Sequence, residues 1–322
     1  MINLRSRATR LGVLDIGSNT VHMLIVDAAP GARPDAEASV KSTVRLMKYL
    51  KEDGSIKKSG VEAILGGVDQ AMKLAEEYKI TQLLPMATSA IREAPNGNKI
   101  IHRVEDRIGQ RVTVLAGDDE AHLTFLAARR WYGWDAGSLL MIDIGGGSLE
   151  VAMGSDEEPS VAASVPAGAG RITSEFLPEG MASPEELEDV RKHVRRILEP
   201  MVRKFPGSKY PNHAVGTSKT MRSLARLAGA VMRQPGRENT LIMTREQLED
   251  WIPRLAAIAP EQRVALPGIT PERTMQIVAG GVVADEVMKA LNVNEVEICP
   301  WALREGAILR WLDQFGRTRL GF

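Results

Sequence analysis

Ile142-Asp143-Ile144-Gly145-Gly146-Gly147-Ser148-Leu149-Glu150 takes an apolar run that begins at Leu139, closes it with an acid and a glycine turn, and opens a second apolar stretch ending at Met153. The same device stands 128 positions earlier, where Leu11 to Leu14 leads into Asp15-Ile16-Gly17-Ser18-Asn19-Thr20 and then Val21 to Asp27. Each reads as a strand, a polar turn too tight for anything but a hairpin, and a return strand. One such hairpin is an ordinary glycine turn. Two, each opening one half of a 322-residue chain, form a repeat. The repeat predicts a duplicated α/β domain with a cleft between the halves.

Strand and helix patterns alternate around the hairpins. A third strand is expected over Ser39 to Leu50, ending at the turn signal Asp53-Gly54. Val61, Ile64, Leu65, Val68, Met72, Leu74 and Ala75 recur at helical spacing and predict a helix from Lys58 to Tyr78. Then come a strand at Gln82 to Thr88, a helix at Asn98 to Ile108, a strand at Arg111 to Leu115 and a helix at Asp118 to Trp131. In the second half, helices are predicted at Pro184 to Val202, Ser218 to Leu227, Arg245 to Ile258 and Pro271 to Leu291. A strand at Val296 to Cys299 and a helix at Leu303 to Asp313 complete the pattern.

Composition narrows the function. Hydrophobic residues make up 44% and charged residues 25%, as in a chain with a sizeable core. Lysine plus arginine and aspartate plus glutamate are both 41, so the formal charge is zero. A nucleic-acid coat or a polybasic membrane binder is not expected, although one basic groove fits inside a neutral total. The single Cys299 excludes a disulfide framework, and no Cys/His spacing suggests structural zinc. No apolar run is long enough to span a bilayer. Met1 to Arg10 is basic, but the apolar run after it is broken by Asp15 and lacks a cleavage site, so no signal peptide is expected. The expectation is a soluble cytoplasmic protein.

Glycines let backbone N–H groups approach an anion, and successive N–H groups in a tight turn make a phosphate nest. Gly17 and the run Gly145, Gly146 and Gly147 supply such turns, and Ser18, Asn19 and Ser148 add side-chain donors. Two such loops facing each other could hold a chain of phosphates from both sides. Asp15 and Asp143 would repel phosphate directly and so imply a divalent cation. Magnesium suits the pattern, with manganese as the alternative, because it takes one or two carboxylates, waters and phosphate oxygens. Glu150 is a further candidate ligand, or else a solvated strand residue.

The two loops resemble those of the actin, sugar kinase and heat-shock ATPase superfamily and, more narrowly, of the exopolyphosphatase/guanosine pentaphosphatase family. Other segments agree in order: Ala87-Thr88-Ser89-Ala90-Ile91-Arg92-Glu93-Ala94, Gly117-Asp118-Asp119-Glu120-Ala121, Gly168-Ala169-Gly170-Arg171, Gly216-Thr217-Ser218-Lys219-Thr220 and Leu303-Arg304-Glu305-Gly306. The match runs from about Leu11 to Leu312. It implies an α/β fold of two ribonuclease H-like, actin-like domains with the last helix packed back on the first. Residues 1–127 plus 304–322 would form one domain and 128–303 the other.

The resemblance also implies roles. Glu120 would be the general base, Asp143 and Glu150 would be associated with magnesium and phosphate, and Arg92 would contact substrate phosphate. Outside the family, Glu120 reads as first-turn helix stabilisation worth ~0.3–1 kcal/mol, and Arg92 as a surface cap residue. A homodimer is a family expectation. Lys219 stands where relatives often have glycine, and is expected to reach a polyphosphate chain and disfavour guanosine substrates. Longer relatives carry a further helical region, so a preference for short chains is expected.

The expected function is magnesium-dependent release of orthophosphate from the end of inorganic polyphosphate. The alternatives are a guanosine pentaphosphate 5′-phosphohydrolase, a kinase of the same superfamily, a sensor binding guanosine tetraphosphate or pentaphosphate, and an actin-like filament protein. Two basic clusters, Lys41, Arg45, Lys48, Lys51, Lys57 and Lys58, and Arg191, Lys192, Arg195 and Arg196, either line the path of a polyanion or are solvated faces. His22 and His122 read as packed or solvated, Cys299 as buried and inert, and the aromatic group Trp131, Tyr132 and Trp134 as packing.

Overall fold

The computed structural model describes residues 8–205, 211–232 and 240–320. Met1 to Arg7, most of the start read above for a signal peptide, lies outside the described residues. The chain divides into unit 1, Met1–Asp119 with Leu303–Phe322, and unit 2, Glu120–Ala302.

Unit 1 opens with β1 (Thr9–Ile16), β2 (Thr20–Ala28) and β3 (Ala36–Thr43), followed by α1 (Lys58–Glu77), β4 (Gln82–Ala87), α2 (Ser89–Glu93), α3 (Gly97–Ile108) and β5 (Thr113–Val114). Its sheet has the order β3-β2-β1-β4-β5. The first hairpin pairs antiparallel with Asp15 opposite His22, and β4 runs parallel to β1. As the central strand, β1 is buried on both faces and reads as a continuous apolar run. Leu14 and Ile16 join the core beneath α1. Leu11, Val13 and Asp15 point to the other face by the two-residue period of a strand.

The expected strand over Ser39 to Leu50 is corrected: β3 runs Ala36–Thr43 and gives way to a 3-10 turn at Leu46–Tyr49. Val44, Leu46 and Met47 are apolar enough to read as strand. Their amides leave the sheet because Val44 and Arg45 donate to the Asn19 carbonyl at 2.9 and 3.1 Å, and Leu46 to the Ser18 carbonyl at 2.6 Å.

The helix α4 (Gly117–Tyr132) runs from the end of unit 1 into unit 2. Unit 2 continues with β6 (Leu139–Ile144), β7 (Leu149–Gly154), β8 (Val161–Val165), α5 (Ala169–Phe176), α6 (Pro184–Val202), β9 (His213–Gly216), α7 (Lys219–Ala228), β10 (Ala230–Met232), β11 (Thr240–Thr244), α8 (Arg245–Ala257), α9 (Ile277–Ala290) and β12 (Glu295–Ile298). Its sheet has the order β10-β11-β12-β9-β6-β7-β8. From β8 to β12 this repeats the unit 1 order, with two antiparallel strands added beyond β12. Alternate residues of β6 divide between two cores. Leu140, Ile142 and Ile144 face α5, α6 and α9, whereas Leu139 and Met141 pack against Ala121, Phe125 and Ala128 of α4.

The expected helix over Pro271 to Leu291 begins only at Ile277. Residues 270–276 instead make successive tight turns, such as Arg273 N–H to the Thr270 carbonyl at 2.8 Å. Every residue from Ile277 to Met288 is buried, as expected for a helix apolar all round. Asp285 and Glu286 are therefore buried acids, and α6 answers them. Arg191 bonds Asp285 and, at 2.9 Å, Glu286, while Arg195 bonds Glu286 at 2.9 and 3.1 Å. These two arginines of the second basic cluster are thus ion-paired.

Burial would raise the Glu286 carboxyl, but Arg195 and Arg191 outweigh it and hold it below its ordinary range. A carboxylate depressed in the folded state contributes stability above its unfolded pKa and loses it as pH falls through the folded one. Glu286→Gln should lower unfolding free energy by about 1.5–3 kcal/mol at neutral pH. In urea titrations the gap from the parent should narrow below about pH 4.

The chain returns to unit 1 through α10 (Leu303–Leu320), which packs on β1 and β2. Among the described residues, no helix is long and apolar enough to cross a membrane.

Candidate active site

In unit 2 the period of the strand sets the chemistry. Asp143 shares a face of β6 with Leu139 and Met141, the face covered by α4. Glu150 is its direct cross-strand partner on β7. Glu120 lies in the first turn of α4 and is 7% exposed. Three acids thus converge from one hairpin and one helix. Burial first, then the charge of Glu120 and then that of Asp143, push the Glu150 carboxyl well above its ordinary range. Hydrogen bonds from Ser148 and Ser164 act the other way without prevailing, and Ser164 Oγ donates to Glu150 Oε1 at 2.8 Å.

Asp143 is held by the residue that follows β9. Thr217 Oγ1 donates to its Oδ2 at 2.6 Å. Arg273 donates to Thr220 Oγ1 at 3.1 Å, and burial lowers its pKa to about 10 against the opposing pull of Asp143. It remains a cation at neutral pH. Thr217 stands in a segment that carries the family resemblance, whereas no local pattern marks Arg273.

The glycine loop is stitched to the start of α5. Gly168 N–H reaches the Gly147 carbonyl at 3.3 Å, Ala169 N–H the Gly145 carbonyl at 3.0 Å, and Arg171 N–H the Gly146 carbonyl at 2.9 Å. Arg171 Nε adds a bond to the Gly147 carbonyl at 2.9 Å. Among the described residues, no peptide bond is cis. In a trans peptide the C=O and the next N–H point oppositely, so the N–H groups of Gly146, Gly147 and Ser148 face away from α5. That is the donor array an anion nest requires. Ser218 Oγ accepts from Ile144 N–H at 3.3 Å and from Met221 N–H at 3.1 Å. It thereby caps α7 and ties the half-buried Lys219, the first residue of that helix, to the end of β6.

Unit 1 repeats the loop with different charges. Gly17 N–H closes its turn on the Thr20 carbonyl at 2.9 Å. The bonds from Val44, Arg45 and Leu46 occupy the Ser18 and Asn19 carbonyls. They turn the N–H groups of Asn19 and Thr20 to the opposite side. Asp15 meets Arg304 of α10, with Nη1 to Oδ2 at 3.5 Å. Where α4 brings an acid to Glu150, the cross-strand partner of Asp143, α10 brings a cation to Asp15. Arg92, on α2, donates to the Leu115 carbonyl at 2.6 Å and lies 3.8 Å from Glu93. The Thr88 N–H that precedes α2 bonds the Ile16 carbonyl at 3.2 Å, so α2 starts at the end of β1.

The strand order β3-β2-β1-β4-β5 is that of the ribonuclease H-like fold, and unit 2 contains it again. Two such units, each carrying Asp as the next-to-last residue of the strand that leads into a glycine turn, define a protein of the actin-like class. The chain belongs to the Ppx/GppA phosphatase family, whose sequence model matches residues 24–315. Exopolyphosphatase 1 of Mycobacterium tuberculosis is 45% identical over 305 residues, covering 94% of this chain and 88% of that protein. The crystal structure of an exopolyphosphatase from Cytophaga hutchinsonii shares the fold, with TM-score 0.84 and 23% identity over 95% of this chain and 98% of that one. An Aquifex aeolicus member of the Ppx/GppA family does so with TM-score 0.76 and 23% identity, over 95% and 99%.

Proposed function

We propose that the protein is an exopolyphosphatase, hydrolysing the terminal phosphoanhydride bond of inorganic polyphosphate. The observation that carries this reading is the convergence of Glu120, Asp143 and Glu150 beside a glycine loop whose amides point away from α5. The name of the mycobacterial relative supports it. Water attacks the terminal phosphorus, the bridging P–O bond breaks, and a chain one phosphate shorter leaves. Glu120 takes the proton of the attacking water. Gly17 to Asn19 in unit 1 and Gly145 to Ser148 in unit 2 each bind phosphate, as does Arg92. Arg273 adds a cation near Asp143.

Among the described residues, no group of three or more His, Cys, Asp or Glu side chains is placed to hold a metal ion. Magnesium needs only one or two carboxylates, and the crowding that raises Glu150 is what a divalent cation relieves. Asp143 and Glu150 are the residues that would hold magnesium or manganese. When bound, the ion would offset charge on the phosphoryl oxygens. A homodimer is carried over from the family resemblance.

Phosphate release with magnesium from short and long polyphosphate, and from guanosine pentaphosphate, tests the reading. Release from polyphosphate is expected to exceed release from the guanosine substrate. In Lys219→Gly the KM for polyphosphate should rise about tenfold and discrimination against guanosine pentaphosphate should weaken, because a long cation is lost next to the end of β6. An unchanged KM would remove Lys219 from the substrate path. Preference for guanosine pentaphosphate in the parent would replace the substrate.

A further inference from the structure

Among the described residues, three that are not glycine have a left-handed backbone: Arg45 (φ 50°), Lys79 (φ 51°) and Asn292 (φ 55°). Lys79 and Asn292 follow the C-caps of α1 and α9, where a left-handed residue commonly ends a helix. Arg45 follows no helix. It stands between β3 and the turn Leu46–Tyr49, and its conformation is imposed by the unit 1 loop. The amides on either side of it and its own reach the Asn19 and Ser18 carbonyls at 2.6–3.1 Å. Glycine would adopt this conformation without a Cβ penalty. The residue is instead an arginine, and its backbone N–H at 3.1 Å from the Asn19 carbonyl roots a long cationic side chain beside the loop. Strained non-glycine residues of this kind cluster where side chains work on ligands.

The charge around it fits one ligand chemistry. From Ala38 to Lys51 the chain carries Lys41, Arg45, Lys48 and Lys51 and no acid. The carboxylate of Asp15 in the same loop is already met by Arg304. We infer that Arg45 is a substrate-binding residue of the unit 1 loop, recognising a phosphate group of an inorganic phosphate chain by charge-assisted hydrogen bonds. The inference rests on the exopolyphosphatase reading and adds a residue to it.

Arg45→Gly separates charge from backbone, because glycine keeps the left-handed conformation and with it the hydrogen bonds to the loop. Binding of imidotriphosphate, whose P–N–P bridges resist hydrolysis, is measured by calorimetry beside thermal unfolding. Arg45→Gly should leave the melting temperature unchanged or higher and weaken binding about tenfold. Arg45→Lys should recover most of the loss. Parental affinity in Arg45→Gly overturns the inference, as does a loss that Arg45→Lys does not restore, or absence of binding by the parent. If the parent binds imidotriphosphate and Arg45→Gly does not, yet the parent releases no phosphate from polyphosphate, hydrolysis falls and Arg45 as a phosphate-binding residue stands.

Discussion

Glu120→Gln should lower kcat for phosphate release by about 10²–10⁴-fold, the usual contribution of a placed general base. The substitution keeps the size of the side chain and removes its capacity to take a proton. The residue is 7% exposed in the first turn of α4, on the face of the unit 2 sheet that also carries Asp143 and Glu150. If its only role were to face the helix dipole, the change would cost ~0.3–1 kcal/mol of stability and leave turnover alone. A second signature follows from the charges. After burial, Glu120 is the largest influence raising the Glu150 carboxyl, so neutralising it should bring Glu150 back toward the ordinary range. Steady-state phosphate release and thermal unfolding of the two proteins decide the matter. A large fall in kcat with an unchanged melting temperature is expected, and full activity in the variant would mean that another group takes the proton.

Much of the fold is legible because its signals are local. The hairpins at Asp15 and Asp143 declare themselves through an apolar run, an acid and a glycine turn within about ten residues, and α1 through its apolar stripe. What is not legible depends on partners far away in the sequence. Val44 to Met47 carries the composition of a strand, yet its amides are taken by Ser18 and Asn19. The same holds in the candidate site. Glu120 and Glu150 stand in recognisable segments, but Thr217 reaches Asp143 across 74 positions because β9 lies beside β6. Arg273 arrives from a turn that local pattern assigns to a helix. Arg191 and Arg195 read as part of a basic face until Asp285 and Glu286 are seen buried opposite them, a pairing separated by more than 90 positions.

Gly168→Ala, a change of one methyl group, should lower kcat/KM by about 10²-fold. The backbone of Gly168 has φ −72° and ψ 148°, which any residue can adopt, so the requirement for glycine is one of space. A Cβ there would lie 2.4 Å from the Gly147 carbonyl carbon and 2.5 Å from backbone atoms of Gly146 and Gly147. These are main-chain atoms of the phosphate loop and cannot rotate away as a side chain can. The methyl must separate the loop from α5, breaking the bonds that aim the N–H groups of Gly146, Gly147 and Ser148. A shift of about 1 Å in a positioning group is enough for a loss of this size, and the overpacking itself should cost about 1–3 kcal/mol. Gly66→Ala is the matched control: Gly66 lies exposed in α1 with nothing within 4 Å of an added Cβ. It should retain parental kcat/KM and gain about 0.5–1 kcal/mol of stability. Parental kcat/KM in Gly168→Ala, measured beside that control, would mean that the loop moves without consequence and that its amides do not hold the phosphate.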